Sequence, residues 1–303
     1  MELRVLKYFL TVAQEENITR AAQILHITQP TLSRQMIQLE EELGVKLLKR
    51  SGHHVYLTDD GLLLKRRARE ITELAEKTKD DFLHRDSEIA GEIAIGSGEY
   101  RASSILTDLL ARFQREYPLV RYRIFSSDSD NIRERIERGI LDLGLLMEPA
   151  DISKYDFIRI PEEEVWGILV REDMELARRE SVGPEDLVHT PLIMTRREMM
   201  QNELLHWFGE YANQIEVMAG GNLLYNMAAM AKSGIGTVIT PILDCSYEGL
   251  KYVPLRSGIR TGIVLVWKKA QVYSAATKAF IEYVKKYDFG TASFPGVIST
   301  ENG

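Results

Sequence analysis

The sequence predicts three parts in order: an N-terminal all-α winged helix-turn-helix at residues 1–58, a long linker helix at 59–90, and an α/β domain at 91–303. Three observations lead to this. Apolar residues at helical spacing fill the chain up to Gly44, punctuated by cap and turn residues. No Gly or Pro interrupts the stretch from Leu62 to Ile89. Beyond Ala90-Gly91, short apolar strands alternate with amphipathic helices, the pattern of an open α/β sheet.

The first helix is marked by Leu3, Leu6, Tyr8, Phe9, Leu10, Val12 and Ala13, and Asn17 breaks it. Thr19 is expected to cap a second short helix, Arg20 to Leu25, with the small pair Ala21-Ala22 for close packing. After His26-Ile27, Thr28 caps a third helix. Pro30 sits in its first turn, where a missing N–H costs nothing. Leu32, Met36, Leu39 and Leu43 form one face of that helix, and Gly44 ends it. Two short helices joined by a tight turn, the second opening on polar residues, have the form that places a helix in a DNA major groove. The outward residues are Gln29, Thr31, Ser33, Arg34 and Gln35, whose side chains suit base edges or phosphate. An ordinary solvated helical hairpin would show the same polar positions.

The next segment separates those two readings. Lys46–Arg50 and Val55–Thr58 read as short strands around the turn Ser51-Gly52-His53-His54, a basic hairpin in the place of a wing. The chain as a whole carries a net charge of −7, yet residues 20–69 hold nine Lys/Arg against five Asp/Glu. Positive charge is thus concentrated where phosphate would be met. Glu40-Glu41-Glu42 is the discordant run, accommodated if that end of the helix has left the groove.

In the linker helix, Leu64, Ala68, Ile71, Ala75, Thr78 and Phe82 recur at alternating spacings of four and three, a shallow coiled-coil seam. It predicts pairing with a second copy; the alternative is a helix packed on its own domain.

In the α/β part, strands are expected at Glu92–Gly96, Arg121–Ser126, Leu141–Leu146, Val165–Val170, Pro191–Met194, Ile215–Ala219, Thr237–Ile239 and Ile263–Trp267. Helices are expected at Ser104–Tyr117, Ile132–Arg138, Leu223–Lys232 and near Ala275–Tyr287. Ligands of such sheets sit at the carboxyl ends of strands. The strand-end candidates are Gly98, Tyr100, Arg101 and Ser103, then Ser127 and Ser129, then Thr195 and Arg196, and finally Asn222 and Pro241. Each taken singly is equally a cap or a turn residue. Arg101 and Arg196 beside helix starts point to a small organic anion, while Glu99 and Asp128 bring opposing charge to the same strand ends.

Taken together, several strings resemble the opening of LysR-type transcriptional regulators. They are Phe9-x-x-Val12-Ala13, Ile18-Thr19-Arg20-Ala21-Ala22-x-x-Leu25, Ile27-Thr28-Gln29-Pro30-Thr31-Leu32-Ser33-Arg34-Gln35, Leu39-Glu40-x-x-Leu43-Gly44-x-x-Leu47-Leu48-x-Arg50 and Leu57-Thr58-x-x-Gly61. The match spans the whole N-terminal module; Leu48 departs from it, since the family commonly has Phe there. The resemblance implies DNA contacts from Gln29, Pro30, Ser33 and Arg34, with Arg50 beside the wing. It implies dimerisation through the linker helix and assembly as a tetramer on an inverted-repeat operator. It also implies a two-lobed, periplasmic-binding-protein-like effector domain, with lobe I at 91–160 and 269–303 and lobe II at 161–268, joined by two crossover strands. The strand-end residues would then surround one effector cleft. Expected partners are double-stranded DNA, a second copy, a small-molecule effector and RNA polymerase.

Other classes find little support. His26, His53, His54, His84, His189 and His206 show no metal-ligand spacing beyond the adjacent wing pair. Gly96-Ser97-Gly98 lacks the remaining glycines of a nucleotide loop, and Glu162-Glu163-Glu164 reads as solvated surface. Cys245, the single cysteine, is expected to be a buried small residue and excludes an internal disulfide. No enzyme, cofactor or metal is expected. The first residues lack the form of a secretion signal and no apolar run is long enough to span a bilayer, so a cytoplasmic location is expected. An architectural DNA-binding protein without a ligand stays open as the alternative.

Overall fold

A computed structural model describes residues 1–51, 54–83 and 89–289. The molecule divides into two units, Met1–Leu83 and His84–Gly303.

In the first unit, α1 (Leu3–Glu15), α2 (Ile18–Ile24) and α3 (Gln29–Leu43) pack around Leu6, Phe9, Val12, Ala21, Leu32, Met36 and Leu39. The start of α2 differs from expectation. Asn17, not Thr19, is the cap, accepting a hydrogen bond from Arg20 N at 2.9 Å. Both residues are good caps, but only Asn17 is extended, at φ −149°. His26 turns the chain between α2 and α3 from the left-handed region, at φ 53°, which Asn, Asp and His adopt more readily than other side chains. The hairpin follows as β1 (Leu48–Ser51) antiparallel to β2 (His54–Leu57), with Leu48 opposite Leu57. Val55 N donates to Glu16 O at 2.8 Å, tying the hairpin to the end of α1.

Thr58 caps α4 (Asp59–Leu83) through Gly61 N at 3.0 Å. A Cβ on Gly61 would overlap Leu47 O, so only glycine lets α4 start this close to the hairpin. α4 packs on α1, and this corrects the predicted seam. Ala68 is fully buried and Leu64 half-buried against the chain's own core. Among the described side chains, the large apolar residues that α4 leaves exposed are Leu62, Leu63, Ile71 and Leu74, and Thr78 is exposed with them while Ala75 is half-buried.

The second unit is built on one path of strands in the order β4-β3-β5-β11-β6-β9-β7-β8, with β10 also on β6. They are β3 (Gly91–Ser97), β4 (Val120–Ser126), β5 (Leu143–Met147), β6 (Tyr155–Arg171), β7 (Pro191–Thr195), β8 (Glu216–Gly221), β9 (Thr237–Pro241), β10 (Leu250–Pro254) and β11 (Arg260–Lys268). Around the parallel strands β4-β3-β5 lie α5 (Ser103–Glu116), α6 (Ser129–Glu137) and α10 (Ala275–Lys286). Around β9-β7-β8 lie α7 (Pro184–Leu187), α8 (Glu198–Phe208) and α9 (Leu224–Lys232).

β6 and β11 are the two crossovers. β6 pairs β11 through its first half and β9 and β10 through its second, with a register shift at Gly262/Ile263. This gives two lobes sharing long strands. The sequence marks only Val165–Val170 of β6, because Pro161 and three glutamates interrupt its apolar pattern. β10 was not anticipated either. β5, between β3 and β11, is buried at every position, as a central strand covered on both faces should be. Lobe I's core brings Phe113 of α5 against Phe280 of α10, centroids 5.2 Å apart and edge to face. Contrary to expectation, Cys245 is exposed, in the loop after β9.

Candidate nucleic-acid interface and ligand cleft

The first surface is the N-terminal half of α3. Leu32, Met36 and Leu39 are anchored in the core, so the opposite side must face outward. Thr28, Gln29, Pro30, Thr31 and Arg34 are exposed there, with Ser33 and Gln35 half-buried. Thr28 does not cap the backbone as expected; its hydroxyl meets that of Thr31 at 2.7 Å. His53 and the side chain of Arg50 lie outside the described residues, as does the side chain of Phe82. Lys46 and Lys49 are exposed beside the hairpin.

Glu40 resolves the discordant acidic run. It turns inward, 8% exposed, and accepts hydrogen bonds from Leu47 N at 2.9 Å, Leu48 N at 3.1 Å and Lys46 Nζ at 2.7 Å. Burial pushes this carboxyl up. The Lys46 ammonium and the Leu48 and Leu47 amides outweigh burial, and the carboxyl sits below its ordinary value. Glu40 therefore fixes where the hairpin leaves α3, a role the sequence reading missed.

The second surface is the cleft between the two lobes of the second unit. Its inner chamber has a volume of about 70 Å³, lined by Tyr100, Met147, Trp166, Arg197, Met227 and Ile239 among others. An outer chamber of about 480 Å³ shares Asp128, Arg197, Gly221 and Asn222 with it. Sites that enclose small molecules run to roughly 300–1,000 Å³, so the inner chamber by itself is smaller than such a site.

The structure brings Gly98, Tyr100, Thr195, Asn222 and Pro241 to the inner chamber. Tyr100 lies across it, its hydroxyl 3.3 Å from Ser129 Oγ, and burial pushes the phenol above its ordinary value. Ser129 and Ser127 are buried behind the lining, with Ser129 Oγ accepting from Met147 N at 3.1 Å.

Three more residues are placed differently from expectation. Arg196 lines only the outer chamber, whereas Arg197, which was not singled out, lines both. Arg197 is buried and donates to Pro149 O at 2.8 Å and Met147 O at 3.4 Å, bridging lobe II to lobe I. The Arg101 side chain is held by Asp244 at 3.1 Å and Glu162 at 3.5 Å. Ser103 Oγ donates to Gly98 O at 3.2 Å within its own turn.

The start of α5, expected to attract an anion, is already occupied. Glu164, read from sequence as solvated surface, is fully buried and accepts from Arg101 N at 3.1 Å and Ala102 N at 3.0 Å. Burial pushes its carboxyl up, opposed by these two amides. Glu99 likewise accepts from Leu224 N at the start of α9. Among the described residues no cluster of His, Cys, Asp and Glu could hold a metal ion, and no helix is long and apolar enough to cross a membrane.

Comparison with known proteins matches both parts of the chain. Residues 3–62 match the model of the bacterial regulatory helix-turn-helix protein, lysR family, and residues 86–288 match that of the LysR substrate binding domain. The chain is 28% identical to YybE of Bacillus subtilis (strain 168), an uncharacterized HTH-type transcriptional regulator, covering 94% of this chain and 98% of that protein. It is 25% identical to the hydrogen peroxide-inducible genes activator of Pectobacterium carotovorum, over 84% and 85% of the two chains. The fold is similar to the crystal structure of CbnR, a LysR family transcriptional regulator, with a TM-score of 0.73 at 22% identity, covering 94% of this chain and 98% of that one. Full-length CbnR in complex with its target DNA gives a TM-score of 0.71, also at 22% identity, with 94% and 99% covered. With its helix-turn-helix and its two-lobed cleft domain each matched at the place where the geometry puts them, this chain belongs to the LysR family of bacterial transcriptional regulators.

Proposed function

We propose that this protein reads a DNA operator through the N-terminal half of α3 and the adjoining hairpin, and that a small molecule in the two-lobed cleft sets its occupancy. The chain is a DNA-binding transcription regulator with an effector-binding domain. The carrying observation is the polar face of Gln29, Thr31, Ser33 and Arg34, presented outward by a helix whose other side is locked into the core. Gln29 and Arg34 are exposed outside the core formed by Leu32, Met36 and Leu39. These residue types suit a major-groove reader: Arg suits guanine, Gln suits adenine, and hydroxyls suit phosphate.

Two copies would pair along Leu63, Ile71 and Leu74 of α4, which are exposed although large and apolar. A paired reader calls for an inverted repeat with half-sites about one helical turn apart. Assembly of such dimers into a tetramer and contact with RNA polymerase complete the proposal, which places the protein in the cytoplasm with the DNA. The solved complex of CbnR, a protein of similar fold, with its target DNA supports the reading of DNA as the partner.

Selection of bound fragments from sheared genomic DNA, followed by sequencing, tests this reading. Discrete sites sharing an inverted repeat are expected. Uniform recovery of fragments without a shared motif would instead mark an architectural protein.

A further inference from the structure

The cleft contains an arrangement that the sequence reading pointed away from. Helix α9 begins after Leu223, whose side chain cannot cap it. The cap comes from the opposite lobe, where Glu99 accepts a hydrogen bond from Leu224 N. Both residues line the inner chamber. A helix of nine residues presents free N–H groups and partial positive charge at this end, a natural dock for a carboxylate. Here the carboxylate belongs to the protein.

A second observation in the same chamber concerns Arg197. Its side chain is only 7% exposed and its Nε is buried with no hydrogen-bond partner; the nearest carboxylate oxygen, Asp130 Oδ2, is 3.7 Å away. A buried guanidinium N–H without an acceptor is costly, and a ligand acceptor in the chamber would satisfy it. The chamber's apolar walls come from Met147, Trp166, Met200, Met227 and Ile239, while Asp128, Thr195, Asn222 and Thr240 add polar groups.

Resting on the reading of this cleft as the effector site, we infer that Glu99 determines its specificity. Its carboxylate stands where a ligand carboxylate would dock on α9, so the chain turns away simple carboxylates there. It selects ligands with an apolar body that offer a hydrogen-bond donor to Glu99 and an acceptor to Arg197. A competing carboxylate would have to displace Glu99 and would bring a second negative charge beside it. Like charges a few ångströms apart repel, and Asp128 on the same lining adds to this.

The test uses the full chain and two carboxylate probes, propionate and phenylacetate, with sodium chloride at matched ionic strength as the reference. Thermal unfolding of the wild type should be unmoved relative to chloride. Glu99→Ala leaves the α9 amides open, and the probes should raise its Tm saturably by about 2 °C or more, as ligand linkage predicts at concentrations well above Kd. Glu99→Gln keeps an acceptor for Leu224 N without the charge. It should fold even where Glu99→Ala does not, and should show a smaller rise. Equal stabilisation of wild type and variants would overturn the inference, and so would no response in either variant. Neither result bears on operator reading, which the selection of genomic fragments tests on the wild-type chain.

Discussion

Replacing Glu40 by Ala tests whether the hairpin beside the recognition helix is held from inside. The carboxylate accepts from two backbone amides, at 2.9 and 3.1 Å, and is 8% exposed. Hydrogen bonds to a charged partner contribute about 1.5–3 kcal/mol each, and a buried amide left without an acceptor costs about 1–3 kcal/mol. The Lys46 ion pair adds little, because the lysine side chain is 76% exposed. The loss should therefore be about 3 kcal/mol, which lowers the Tm of a module of this size by roughly 15 °C. Glu40→Gln retains one acceptor and should lose about half as much. Because the folded carboxyl lies below its ordinary value, its stabilisation is fully present above the unfolded value and disappears as pH falls through the folded one. The difference between wild type and Glu40→Gln should thus shrink on acidification through the carboxylate range. Circular dichroism melts of the full chain, read at several pH values, provide the assay. A change below about 0.5 kcal/mol for Glu40→Ala, the size of an ordinary surface substitution, would refute the reasoning.

Other outcomes follow from the same structure. Phe113→Ala removes a fully buried ring from lobe I and should cost about 3–5 kcal/mol, seen as a lower calorimetric transition for the second unit only. A Cβ at Gly98 would overlap the Tyr100 ring, so Gly98→Ala should push Tyr100 off Ser129 and destabilise that unit by about 1–3 kcal/mol. The N-terminal transition should stay where it is. Leu74→Asp, on the exposed side of α4, should weaken self-association in sedimentation velocity, whereas Ala75→Ser, at the half-buried edge, should leave it unchanged.

The N-terminal unit was legible because its signals are local. Periodicity, Pro30 at a helix start and Gly44 at a helix end each act within one turn of backbone. The misplaced cap at Asn17 shows the limit, since two good caps two residues apart can be told apart only by backbone conformation. Part of the seam on α4, at Leu64 and Ala68, was misassigned for a different reason. Leu64 and Ala68 form an apolar stripe, but periodicity does not say what a stripe packs against, and here it is α1.

In the cleft, the strand ends were identifiable while the chemistry was not. Arg196 and Arg197 follow the same strand, and the start of α8 decides which one turns inward. Glu164 reads as surface charge, and Glu99 as opposing charge at a strand end with no partner assigned. Their partners are amides 62 and 125 residues away in the chain, and no local pattern carries that information. The sequence signal that could have pointed to them is a negative one: Ala102 and Leu223 precede helices that need a cap and cannot supply it.

Regulation by this protein depends on α3 meeting DNA with its polar face, and Arg34 is the residue that tests this most directly. Footprinting on the selected fragments should show protected half-sites for the wild type, and no protection with Arg34→Ala at the same concentration. Sedimentation should give the same assembly for both. Undiminished protection by Arg34→Ala would contradict the assignment of α3 as the reading helix.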